Sequence, residues 1–104
     1  MNTGLISKIA EKNDLFRKGG FGVMITAGAR ESAYVPGLMR AVREFDDFNE
    51  DNDPYGEHDF GSFERAGEKY FWKIDYYDRT LMYGEQPMSP KCRRVLTIML
   101  ASEY

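Results

Sequence analysis

Apolar residues recur at two different periods along this chain, and the switches between them mark out the elements. Leu5, Ile6, Ile9, Ala10 and Phe16 share one side of a 3.6-residue repeat, which predicts a helix over 4–17. Thr3 suits its N-cap, Gly19-Gly20 its stop, and Lys12, Arg17 and Lys18 the negative end of its dipole. Residues 21–27, FGVMITA, are short, β-branched and flanked by glycines, which predicts a buried strand. Gly28 to Pro36 reads as a connection. Over 37–48 two patterns overlap. Leu38, Ala41, Val42 and Phe45 share a helical face, with Pro36 suited to the first turn, while Arg40, Val42 and Glu44 alternate. The preferred reading is a helix that gives way to extended chain near Phe45.

Asn49 to Gly56 is a loop, broken by Asp-Pro and Gly. HDFGSFE and KYFWKIDYY flank the short turn RAGE, which predicts a β-hairpin. In its second arm Tyr70, Trp72, Ile74 and Tyr76 alternate with Phe71, Lys73, Asp75 and Tyr77. Aromatic residues on both faces place that arm near the centre of a sheet. Ser89-Pro90 then resembles a helix start, with Val95, Leu96, Met99 and Leu100 as its apolar stripe. The resulting fold class is α+β, an antiparallel sheet of three to four strands with N- and C-terminal helices packed on it.

Length fits one domain spanning 1–104, with enough chain for a core without staples. Cys92 is the only cysteine, which excludes an internal disulfide and fits a reducing compartment. The N-terminus lacks a signal-peptide pattern, no run is long enough to span a membrane, and the C-terminus carries no lipidation motif. A cytoplasmic location is expected. Charge is distributed unevenly. Residues 44–59, EFDDFNEDNDPYGEHD, hold Glu44, Asp46, Asp47, Glu50, Asp51, Asp53, Glu57 and Asp59, no Lys or Arg, and the one histidine, His58. The net charge of −3 therefore hides a negative lobe on a body of net +5, since all 14 basic residues lie outside that stretch.

Five groups of residues are candidates for chemistry. Asp51, Asp53, Gly56 and Asp59 fall at positions 1, 3, 6 and 9 of a calcium-loop spacing, but Tyr55 and Ser62 occupy positions that need oxygen ligands. A solvated acidic loop is the simpler reading. His58 among carboxylates can be a general base, or can tie the loop to the sheet. Asp75 or Asp78 would be its partner, because its neighbours Glu57 and Asp59 point to the other face. Lys73 and Asp75 share a face, as an ion pair or as part of a polar pocket with Tyr77. Lys91, Arg93 and Arg94 at the start of the last helix can meet an anion or neutralise the acidic lobe. Cys92, in that same first turn, is a remote candidate nucleophile. No phosphate loop, zinc pattern or nucleophile elbow is present, so no cofactor is expected.

Five segments carry a resemblance: NDLFR at 13–17, VMIT at 23–26, NDPYGEHDFG at 52–61, FWKIDYYD at 71–78 and RVLTIMLASEY at 94–104. With them the chain resembles a family of small bacterial proteins of unknown function. The resemblance implies a setting on plasmids and integrated mobile elements, near anti-restriction genes. It implies no activity, cofactor or site residue. The expected function is thus a non-enzymatic interaction protein, in concrete form a counter-defence inhibitor (anti-restriction or anti-CRISPR). Asp46, Asp47, Glu50, Asp51, Asp53, Glu57 and Asp59 would bind a protein with a basic surface, a nuclease or CRISPR effector, with no direct nucleic-acid or membrane contact. The alternative is a small enzyme or metal-binding module, with His58 and Asp75 catalytic or Asp51, Asp53 and Asp59 on a metal.

Overall fold

A computed structural model of the chain describes residues 3–19 and 22–104; the side chain of Thr3, and with it the expected cap, as well as Gly20 and Phe21, lie outside the described residues. The elements run α1 (Thr3–Gly19), β1 (Val23–Ile25), α2 (Ala27–Ser32), α3 (Val35–Glu44), β2 (Phe60–Arg65), β3 (Glu68–Tyr77) and β4 (Arg93–Leu100). A 3-10 turn, Ala101–Glu103, ends the chain. The fold is α+β. Its four-stranded sheet has the order β1-β4-β3-β2, antiparallel except for the β1–β4 pair.

Alternation along the two inner strands builds the core. Tyr70, Trp72 and Ile74 of β3 and Leu96 and Ile98 of β4 are buried against Ala29 of α2 and Leu38 and Val42 of α3. Phe71, Lys73 and Asp75 take the opposite face, where Tyr104 meets the tilted pair Phe60 and Phe71 edge-on. The β2–β3 turn is two residues long. Ala66 and Gly67 both have positive φ, 53° and 83°, as a tight hairpin turn requires.

Two sequence expectations change, and one ambiguity resolves as the preferred reading had it. The connection before α3 contains a short helix, α2, capped by Thr26, whose hydroxyl accepts from Ala29 N–H. The overlapping pattern over 37–48 resolves as a helix ending at Glu44, and extended chain starts at Phe45. The C-terminal helix is instead the inner strand β4. Val95, Leu96, Met99 and Leu100 fit either period in so short a run, and Val95, Thr97 and Ile98 are β-branched. Strand pairing on both sides, to β3 and to β1, settles the ambiguity. Ser89-Pro90, read as a cap, closes a turn in which Cys92 N–H donates to Ser89 carbonyl O at 3.0 Å.

One glycine is fixed by packing. A Cβ on Gly61 would overlap Trp72 Nε1 and lie 2.7 Å from Phe45 Cζ. Gly61→Ala is therefore expected to destabilise the fold by roughly 1–3 kcal/mol through overpacking. Chemical denaturation measures it, and an unchanged midpoint would contradict this packing.

Candidate functional site

The buried stripe of α1 begins apolar and ends polar. Ile9 and Ala10 are followed on the same face by Asn13, 0% exposed, and Arg17, 3% exposed. Buried polar groups persist only when their hydrogen bonds are made. Arg17 Nη1 donates to the carbonyls of Val42 (2.6 Å), Arg43 (3.2 Å) and Phe45 (2.8 Å) at the end of α3, and Nη2 donates to Asp14 Oδ1 at 3.0 Å. The guanidinium also lies over the rings of Phe48 and Trp72, 5.5 and 5.3 Å from their centroids. Asn13 Nδ2 donates to the Glu57 carbonyl and to Tyr76 Oη, while its Oδ1 accepts from Arg94 Nε at 2.7 Å.

These two residues hold the acidic loop from beneath. Asp14 faces His58 Nδ1 at 3.0 and 3.1 Å. The imidazole stacks on Phe48, with centroids 3.9 Å apart and planes 1° from parallel. Its Nε2 lies 3.8 Å from Asp53 Oδ2. Asp53 is buried and accepts the backbone N–H of Glu57 and of His58. Those bonds hold His58 at a positive φ of 56°, a conformation His adopts more readily than most residues.

The seven carboxylates expected to meet a partner thus divide. Asp53, Glu57 and Asp59 belong to the inner face of the loop. Asp46, Asp47, Glu50 and Asp51 are exposed and form no ion pair among the described residues. Their backbone is nonetheless fixed. Asn49 Oδ1 accepts from the N–H of Asp51 and Asn52, Asn52 Oδ1 accepts from Asn49 N–H, and Asn52 Nδ2 donates to Asp47 carbonyl O.

His58 meets Asp14, a partner that sequence spacing did not single out. Asp75 pairs with Lys73 at 2.8 Å on the opposite face of the sheet, so His58 and Asp75 are not brought together. Asp78 closes its own turn by accepting from Thr80 Oγ1 and N–H. Asp51, Asp53 and Asp59 do not converge, and no group of three His, Cys, Asp or Glu side chains among the described residues is placed to hold a metal ion. With the last helix replaced by β4, Lys91, Cys92, Arg93 and Arg94 have no helix N-terminus beneath them. Arg94 turns inward to Asn13 and to the Pro87 carbonyl, while Lys91 and Arg93 are exposed; none of the three forms an ion pair with the acidic lobe. Asn13, Asp14, Arg17 and Tyr76 were missed as site residues. The available signal was a helical face whose apolar positions give way to Asn and Arg four residues apart.

Burial, then the neighbouring charge of Asp59, raises the Glu57 pKa above its ordinary 4.5. Burial, with Asp53 and Asp75 nearby, raises Asp59 above 3.8. Burial pushes the Tyr76 phenol up to about 12, so it stays protonated as a donor toward Glu57 Oε2.

Residues 24–103 match the family described as Protein of unknown function (DUF3768), and the chain belongs to that family. No curated protein and no solved structure matches it. Among the described residues no helix is long and apolar enough to cross a membrane.

Two outcomes follow from the geometry. Arg17→Met removes the guanidinium donor from the Arg43 and Phe45 carbonyls, and the balancing cation from Asp14, and is expected to cost roughly 3–5 kcal/mol in a denaturant titration. A loss within the range of surface substitutions would show that the carbonyls find other donors. The second concerns pH. Glu57 and Asp59 bind protons more tightly folded than unfolded, so their contribution to stability falls as pH rises from about 3.8 and 4.5 upward. Asp78 and Glu103, both lowered by side-chain hydrogen bonds from threonine, act with the opposite sign at lower pH. Stability curves for wild type and Glu57→Gln/Asp59→Asn should therefore diverge in favour of the variant as pH rises through that window; parallel curves would refute it.

Proposed function

We propose that this DUF3768 protein is a non-enzymatic interaction protein whose carboxylate apron, Asp46, Asp47, Glu50 and Asp51, docks on a basic protein surface. One observation carries the reading: four exposed carboxylates within six residues have no ion-pair partner among the described residues, on a loop whose turns and inner face are hydrogen-bonded in place. A loop ordered before binding loses less entropy on association, and unpaired charge accelerates encounter with an oppositely charged surface. His58 supports the same reading. Its ring lies against Phe48, its Nδ1 faces Asp14, and Asp53 flanks its Nε2, which suits a structural latch better than a free base.

The natural partner class is a protein that handles nucleic acid, because such proteins carry basic channels shaped for regularly spaced anions. The mobile-element setting implied by the sequence resemblance gives this a concrete form, an inhibitor of a restriction or CRISPR nuclease. Affinity capture from a bacterial host, followed by binding measurements on the purified partner, tests it. The expected outcome is a nucleic-acid-handling protein whose association rate falls with added salt and falls at least tenfold when the four residues become Asn or Gln. A captured set that is identical for wild type and the neutralised variant would sink the proposal.

A further inference from the structure

The sheet leaves one long edge open. At the β1 edge the strand is only three residues long. At the other edge β2 runs six residues without proline or bulge. Its hydrogen-bonding phase is fixed by two observations. Ile74 N–H donates to Asp59 carbonyl O at 2.8 Å, which makes Asp59–Ile74 a hydrogen-bonded pair, and a two-residue turn closes on such a pair at Arg65–Glu68. Asp59, Gly61, Phe63 and Arg65 therefore bond toward β3. Phe60, Ser62 and Glu64 point their N–H and C=O groups away from the sheet, and these backbone groups have no partner in the described turns, caps or loops.

We propose that β2 pairs antiparallel with β2 of a second copy of this chain, about a two-fold axis at Ser62, to give one continuous eight-stranded sheet. The axis is set by bond counting. Only with Ser62 opposite the partner's Ser62 do all three outward residues of each copy find partners, Phe60 with Glu64 and the reverse, for six hydrogen bonds. An axis one residue away at Phe63 leaves only Ser62 and Glu64 paired, for four. The same register decides the side chains on the helix-covered face. Asp59 falls opposite the partner's Arg65, at both ends of the interface. Gly61 falls opposite the partner's Phe63, beside a floor formed by Phe45 and Trp72. Opposite charges in direct opposition are a favourable cross-strand combination, and an aromatic ring opposite an edge glycine covers it. An edge of this kind, unless paired, is a template for indiscriminate association, and closed two-fold pairing removes it. This pairing does not depend on the acidic apron or on its partner.

Sedimentation velocity on the full chain over a concentration series tests the pairing. Wild type is expected to sediment as a dimer that dissociates on dilution. Ser62→Pro removes an N–H that the isolated fold leaves unbonded, so the monomer should keep its circular dichroism spectrum while the dimer is lost. Arg65→Glu, a second variant that leaves the backbone untouched, should weaken dimerisation at least tenfold, and adding Asp59→Lys should restore it. Amide exchange should slow at Phe60, Ser62 and Glu64 only in the dimer. A wild type that is monomeric at every concentration overturns the proposal. So does a dimer that survives both variants with those amides exchanging freely, or an edge that is protected only by an added extended peptide.

Discussion

Everything else in this fold is arranged around one buried cation. Arg17 leaves α1 beneath the end of α3, where helix geometry exposes carbonyls that have no intrahelical donor. It donates to the Arg43 and Phe45 carbonyls, and to Val42 O beside the capping N–H of Phe45, and places its charge at the negative end of the α3 dipole. Phe48 and Trp72 cover it, and Asp14 balances it. One side chain thus joins α1, α3, the loop and the sheet. The cost is concentrated in the same place. Arg17 Nε and Trp72 Nε1 are both buried without a hydrogen-bond partner among the described residues, at roughly 1–3 kcal/mol each.

The acidic loop inherits its shape from that cation. Asp14, fixed by Arg17, faces His58; His58 covers Phe48 and brings Nε2 toward Asp53; Asp53 binds the two N–H groups that turn the chain into β2. Like charges on a short loop would otherwise drive it open. Here Asp53 is occupied with backbone and imidazole and Glu57 meets the Tyr76 hydroxyl, while the outer four carry the unpaired charge. The segregation of charge evident in the sequence survives folding. The basic residues expected to neutralise it are placed elsewhere: Arg94 points to Asn13, and Lys91 and Arg93 face solvent.

Local signals made much of this architecture legible. Alternation in YFWKIDYY gave the face of β3 correctly, and Ala-Gly between two such runs placed the hairpin. Phe45 is the last residue of the helical face of α3, and there extended chain takes over from the helix. The reading broke where a short apolar run was consistent with both periods. RVLTIML became an inner strand because β1 and β3 supply partners on both sides, a fact of long-range pairing that no window of eight residues contains. The site was half legible for a related reason. The loop advertised itself by charge, but its anchors Asn13 and Asp14 lie 44 residues from the groups they hold. Arg17 looked like a favourable surface charge at the end of α1, and only packing against α3 gives it its role.

The two uncovered features of the molecule make different demands on electrostatics, and the geometry keeps them apart. Asp59 is the acid of the loop next to β2: half-buried, near Asp53 and Asp75, and in no ion pair with Lys or Arg among the described residues. A carboxylate so placed gains from any cation that approaches along the β2 edge. Antiparallel pairing of two β2 strands brings the partner's Arg65 to that position and to no other acid of the loop. Asp46, Asp47, Glu50 and Asp51 precede Asp59 by eight residues or more and sit on the outward turns, away from the paired backbone. Self-association would therefore relieve Asp59 alone and leave the outer apron charged. Because the strands run in opposite directions, the two aprons would stand at opposite ends of the joined strands, each free to meet a basic surface of its own.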